Sequence, residues 1–144
     1  MAANRQAAGL TVIRVGLGVF FLFEAVNKLA WLTDASILAR QLDTWSQAAL
    51  PWPRWYLEHV AMPGAWAFAR VVTIAEAALG LALVLGVLTR TAALLGFLMV
   101  LNFHFASGTL FQYSFLTNGY GLPVLASLLG LAIGGSKLPL SLRR

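Results

Sequence analysis

The chain has 144 residues, ten Lys and Arg against five Asp and Glu, with 60% hydrophobic and only 10% charged residues. That balance is too apolar for a soluble domain of this size and points to a bilayer as the solvent. The net charge of +5 is scattered singly apart from Arg143-Arg144, so no basic patch addresses nucleic acid, and the lack of cysteine excludes disulfides, thiol relays, iron–sulfur clusters and thiolate-bound metals.

The first apolar segment, residues 9–30, contains Arg14 and Glu24 and has no small-residue cleavage site after it. It is therefore expected to remain as a membrane helix rather than to be removed as a signal peptide. The stretch that follows, 31–64, is too long for a simple connector. Within it Leu38, Leu42, Trp45 and Ala49 recur at helical spacing, opposite a face carrying Arg40, Gln41 and Asp43. An amphipathic helix lying in the outer interface is expected, with Asp34 as N-cap and Pro51-Trp-Pro53 as its stop. A second short helical piece is expected over 54–60, ended by Pro63-Gly64. These pieces either cap the mouth of the bundle or form a lid or docking face.

Three further apolar segments follow, at 65–88, 91–112 and 120–135. No Asp, Glu, Lys or Arg occurs from 91 to 136, 46 residues, room for two crossings of about 20 residues each. Thr89-Arg90 leaves so little chain between the second and third segments that they must be antiparallel neighbours. Residues 117–121, Thr-Asn-Gly-Tyr-Gly, suit a turn before the fourth. Backbone groups in hydrocarbon must pair within their own segment, and nothing alternates like a barrel strand. The expected fold class is all-α: one domain over 1–144, an integral membrane four-helix bundle of up-down topology. Arg5, Arg90, Lys137, Arg143 and Arg144 fall on one side against Arg40 and Arg54 on the other, which predicts cytoplasmic termini. All five Trp and all three Tyr fall on the opposite, outer side as an aromatic belt.

Charges inside the membrane are costly, about 2.5 to 3.5 kcal/mol each at the bilayer centre on insertion scales, so they are expected to face inward and find partners. On the first helix Arg14, Glu24 and Lys28 share one arc, and Gly18 on that arc permits a close helix crossing. Glu24, Lys28, Arg70, Glu76 and His104 lie at similar depth, from the middle outward, and form a polar layer that is the candidate binding site. The expected pairs are Glu24 with Arg70 and Glu24 with Lys28. Glu76 is left needing a partner elsewhere or a proton, and Arg14, deeper, is expected to snorkel or to hold a backbone carbonyl. The layer is either a structural ion-pair network or a ligand site, and His104 is either a packing residue or a ligand. Asn102 points about 200° from His104 and cannot line the same cavity. His59 is the only other histidine. With so few ligands, no haem or other metal is expected, and no flavin or nucleotide motif is present.

The run Ile13-Arg-Val-Gly-Leu-Gly-Val-Phe-Phe21 followed by Lys28, and Glu76-Ala-Ala-Leu-Gly80 leading to Leu85-Gly-Val-Leu-Thr-Arg90, resemble the DoxX family, which includes DoxD-type small subunits of thiosulfate:quinone oxidoreductase. The likeness spans about residues 9 to 105 and carries over Arg14, Lys28, Glu76 and Arg90. Two positions depart from it: Ala25 stands where a Gly often precedes the Lys by three, and Glu24 lies outside the pattern. The resemblance implies a bacterial inner-membrane protein of four helices, working beside quinone-linked or thiol-linked redox enzymes. Without cysteine it cannot handle thiols covalently itself. The leading expectation is a quinone-interacting subunit of a membrane oxidoreductase, in which Arg70, His104 and Glu76 could meet the quinone and electrons would come from partner subunits. The alternatives are a structural or assembly subunit anchoring a larger energy-transducing complex, and a small permease or proton pathway. The last ranks lowest because the ionisable groups cluster outward.

Overall fold

The computed structural model describes residues 2–142 and is all-helical over them. Arg143 and Arg144, counted above among the cytoplasmic charges, lie outside the described residues. Three helices are long and apolar enough to cross a membrane: α1 (Ala2–Asn27), α4 (Ala65–Leu85) and α5 (Thr89–Ala106). Between α1 and α4 run α2 (Ser36–Ala48) and α3 (Pro51–Tyr56), and after α5 come α6 (Ser114–Thr117) and α7 (Leu122–Gly134). Helix α7 has 13 residues, about 20 Å of rise, less than the roughly 30 Å of a hydrocarbon core. The expected fourth segment is thus present but short.

Helix ends differ from the apolar runs because polar and glycine chemistry, not hydropathy, stops them. Helix α1 begins before residue 9 and ends at Asn27, where Lys28 turns its side chain inward and a tight 3₁₀ turn, Leu29–Leu32, begins. Helix α4 stops at Leu85 because Gly86 takes the left-handed conformation (φ 68°), a C-terminal cap that suits glycine. Thr89 and Arg90 therefore open α5 rather than forming the connection, which is Gly86-Val87-Leu88. Helix α5 ends at Ala106, six residues before Gln112, because Gly108 (φ 72°) starts a 3₁₀ turn, Thr109–Phe111. At the start of α2 the Asp34 carboxylate accepts the Ser36 N–H at 2.9 Å. It performs the capping chemistry one residue before the N-cap, which is Ala35. Hydrogen bonds from Ser36, with a smaller contribution from Arg40, hold the Asp34 carboxyl below the usual carboxylate range. Pro51 both follows the end of α2 and opens α3 at a position needing no N–H, so the second short helix starts earlier than expected and continues through a wider π-type turn, Leu57–Ala61.

Helix α1 packs along α4, α5 along α7, and further contacts join α4 to α5 and α1 to α7. The shared core contains Leu17, Phe21, Leu79, Leu83, Ala93, Leu128 and Leu131. The α1–α4 crossing is set by two glycines: a Cβ on Gly18 would lie 2.9 Å from the Gly80 carbonyl oxygen, and one on Gly80 would lie 2.9 Å from that of Gly18. The close crossing expected at Gly18 is therefore present, with Gly80 as its partner. A second cluster of Leu38, Leu42, Leu57, Ala61, Ala65, Ala69 and Ala106 seats the α2–α3 segment on the ends of α4 and α5. This is the loop end of the molecule. Outward-facing Val12, Val71, Ile74, Leu81, Leu98 and Ile133 are exposed, an apolar exterior suited to lipid tails.

At the opposite end the chain beyond α7 folds back across the helices. The Leu142 N–H donates to the Leu85 carbonyl at 3.0 Å. Arg14, 0% exposed, pins this tail: Nη2 donates to the carbonyls of Leu140 (2.9 Å) and Pro139 (3.3 Å), and Nη1 to Ser141 Oγ (3.1 Å). The carbonyl partner expected for Arg14 is thus found. Lys137 and Leu140 both adopt positive φ (55°), a conformation non-glycine residues hold only when other contacts impose it.

Gly18→Leu is expected to destabilise the fold by about 1 to 3 kcal/mol, because backbone cannot yield to the added side chain. Gly16→Leu, whose Cβ meets nothing within 4 Å, is expected to be nearly neutral. Unfolding of both variants in mixed micelles by graded SDS checks the difference.

Candidate functional site

A cavity of about 370 Å³ opens at the loop end between α1, α4 and α5. Its walls are mostly aromatic, from Phe20, Phe21, Trp31, Trp45, Phe103 and Tyr120, and its polar groups are Glu24, Lys28, Gln41, Glu76 and His104.

Lys28 organises the polar side. It sits one turn beyond Glu24 on the same arc of α1, and its Nζ lies 2.6 Å from Glu24 Oε2 and 3.0 Å from Glu76 Oε1 on α4. The Glu24–Lys28 pair is as expected, and Lys28 also proves to be the partner that Glu76 lacked. The Lys28 side chain is 12% exposed and that of Glu76 5%, so this contact forms largely out of water. The rings of Trp31 and Phe103 lie 5.8 and 5.9 Å from Nζ, near enough for cation–π attraction. Thr73, buried on α4, donates its hydroxyl to the Ala69 carbonyl (2.8 Å) and reaches the Lys28 carbonyl (3.3 Å), which holds the end of α1 in place. One valence stays open. Glu76 Oε2 is buried and has no hydrogen-bond partner.

Arg70 is not part of this cluster, and the expected Glu24–Arg70 pair does not form. Its guanidinium lies 4.2 Å from the Trp66 ring centroid and donates to the Trp66 carbonyl at 2.9 Å. The reason is angular. Arg70 is about 120° round the helix from Glu76, so a side chain placed for the cavity at one position cannot be so placed at the other. Lys28, with a long stem and a compact ammonium, satisfies both carboxylates instead.

His104, in the last turn of α5, has both ring nitrogens engaged: Nε2 lies 2.8 Å from the Tyr120 carbonyl and Nδ1 2.8 Å from Thr109 Oγ1. A carbonyl only accepts, so Nε2 donates to Tyr120, while Nδ1 and the Thr109 hydroxyl share the second hydrogen bond. The ring therefore ties α5 to the chain entering α7 and holds Tyr120 at the cavity wall. It lines the site without a free nitrogen to offer. Asn102 lies outside the cavity, as its angle predicts, and so does His59, which stacks on Trp55 at 5.2 Å. Arg14 belongs to the tail end.

The sequence reading misses the aromatic walls and Gln41. The outer concentration of Trp and Tyr is the signal that could have found Trp31, Trp45 and Tyr120. Gln41 sits on the polar face of α2, and only the packing of that helix brings it, with Trp45, to the cavity.

Lys28→Met leaves two carboxylates facing each other out of water and is expected to cost about 3 to 5 kcal/mol. Arg70→Met is expected to cost under about 1 kcal/mol. Adding Glu76→Gln to Lys28→Met should recover much of the loss, and a double-mutant cycle on folded-protein yield and SDS unfolding measures it. Equal losses for Lys28→Met and Arg70→Met would remove Lys28 from the centre of the cluster.

Compared with known proteins, the chain matches the family model described as DoxX over residues 9–107. That span contains Arg14, Glu24, Lys28, Arg70, Glu76 and His104 but not Tyr120. No curated protein and no solved structure matches it.

Proposed function

This chain belongs to the DoxX family of membrane proteins, and from that premise and the charged aromatic cavity we propose that it is a small quinone-interacting subunit of a membrane oxidoreductase or electron-transfer complex. In this reading it lies in a bacterial inner membrane as an up-down four-helix bundle with both termini cytoplasmic, α7 and its flanking turns making the fourth crossing. Other subunits of the complex supply the electrons.

The observation that carries the reading is Lys28 held between Glu24 and Glu76 at the edge of an apolar cavity, with Glu76 Oε2 unpartnered. A quinone is a flat apolar ring with two carbonyl acceptors, which become hydroxyl donors on reduction. The Lys28 ammonium suits the carbonyl, and the open Glu76 oxygen suits the hydroxyl and the proton it releases. Phe20, Trp31, Trp45 and Phe103 offer ring faces, and the volume accommodates a single head group. His104 is assigned a positioning role, since its nitrogens are committed elsewhere.

One observation favours an assembly subunit instead: Trp52 and Trp55 on α3 are 81% and 59% exposed, a surface a soluble or membrane partner could cover. The permease reading gains no support, because no carboxylate lies between Glu76 and the tail end.

A short-chain quinone or its reduced quinol added to the purified protein should quench tryptophan fluorescence saturably, through Trp31 and Trp45. Glu76→Gln should weaken binding of the quinol, whose hydroxyl would donate to that oxygen, about tenfold, the value of one hydrogen bond to a charged group. Absence of saturable quenching in the unmodified protein would leave the assembly reading.

A further inference from the structure

All five Asp and Glu side chains, Glu24, Asp34, Asp43, Glu58 and Glu76, lie from the middle of the bundle to the loop end. Among the described residues, the charged side chains of the tail end are cations alone. There a second cavity, of about 300 Å³, is framed by Gly86, Leu88, Arg90, Thr91, Lys137 and Ser141. Arg90 and Lys137 bring two positive charges to it, and neither has a carboxylate partner among the described residues. Arg90 donates Nε–H to the Ala132 carbonyl at 2.8 Å, which fixes its stem on α7 and leaves its two terminal nitrogens free to meet a ligand.

A third charge stands directly behind the wall. Arg14 is fully buried and touches the Gly86 position, its Nη1 bonded to the cavity residue Ser141, while its Nε has no hydrogen-bond partner. Its contacts are all neutral, so its charge is not neutralised locally. Two exposed cations with a fully buried one behind them, none with a carboxylate partner among the described residues, form an arrangement that an anion from outside would complete.

We propose that this tail-end cavity binds a phosphate oxyanion, with Arg90 and Lys137 as its ligands and Arg14 as the buried charge behind them. The same chemistry is offered by the phosphodiester of an anionic lipid and by free inorganic phosphate. The surroundings favour the lipid. The cavity lies at the ends of α4 and α5, where a membrane helix meets the headgroup layer; Leu88 in its lining is 63% exposed, and Leu140 and Leu142, on either side of the lining residue Ser141 in the chain, are 81% and 75% exposed, an apolar surface for acyl chains. Basic pockets between membrane helices at this depth select anionic lipid. The inference does not depend on a quinone occupying the other cavity.

Native mass spectrometry of the full chain in mild detergent, titrated with dioleoylphosphatidylglycerol, dioleoylphosphatidylcholine or inorganic phosphate, tests it. The expected result is saturable binding of phosphatidylglycerol in preference to phosphatidylcholine, weakened about tenfold or more in Arg90→Gln/Lys137→Asn. Because Arg90 also holds Ala132, the exposed changes Lys137→Asn and Thr91→Asp are measured alone with helix content followed by circular dichroism, and each should weaken binding without unfolding. Saturable binding of inorganic phosphate that falls in the same variants, with no preference for phosphatidylglycerol, would support the oxyanion site and identify its source as free phosphate. If neither probe binds saturably, or if binding is the same in folded Lys137→Asn and Thr91→Asp as in the unmodified chain, the proposal is overturned.

Discussion

The ammonium of Lys28 lies between two carboxylates on different helices, and the loop half of the molecule is arranged around that fact. In water such contacts contribute little. At the edge of a hydrocarbon core the desolvation of each ion is large, and the three groups persist only because each meets an opposite charge at hydrogen-bond distance. The geometry that permits this is the Gly18–Gly80 crossing, where α1 and α4 approach with backbone against backbone. A wider crossing would leave Glu76 out of reach of Lys28. The glycine pair and the ion cluster thus support each other, Gly80 lying one turn beyond Glu76 on α4 and Gly18 ten residues before Lys28.

The two ends of the bundle are opposite in electrostatic character. Toward the loop end, carboxylates and a lysine border an aromatic cavity closed over by α2. Toward the tail end, Arg14 and Arg90 bond to carbonyls and a hydroxyl, no carboxylate pairs with them or with Lys137 among the described residues, and the tail is fastened down by the Arg14 guanidinium. Arg14 and Lys28 share one arc of one helix, yet they serve the two ends separately. A buried arginine whose terminal nitrogens bond to two carbonyls and a hydroxyl is a fastener for chain, whereas a lysine between carboxylates stays a charged group beside a cavity.

Much of this was legible in the sequence. The charge-free run after Arg90, the spacing of Leu38, Leu42 and Trp45, and the clustering of Trp and Tyr toward the loop end already give the helices and their order. Helix ends were less legible, because Gly86 and Gly108 cap by a left-handed backbone that hydropathy does not register. Glu24, Lys28, Glu76 and His104 were identified as one layer and do line one cavity. Arg70 was placed there by depth alone. Depth follows from counting residues, but which way a side chain turns depends on its neighbours, and Trp66 one turn away draws Arg70 aside. The committed nitrogens of His104 depend on Thr109 and Tyr120, whose approach is set by the turn after α5 and cannot be read from spacing.

The most direct test of the central contact is a solid-state NMR dipolar-recoupling distance in lipid bilayers, between nitrogen-labelled Lys28 Nζ and carbon-labelled Glu76 Cδ, in a Glu24→Gln background so that the coupling reports this pair. The account predicts a strong coupling, consistent with an Nζ–Oε1 contact of 3.0 Å. No measurable coupling, with the helices folded and inserted, would show that Lys28 and Glu76 do not meet and would contradict it.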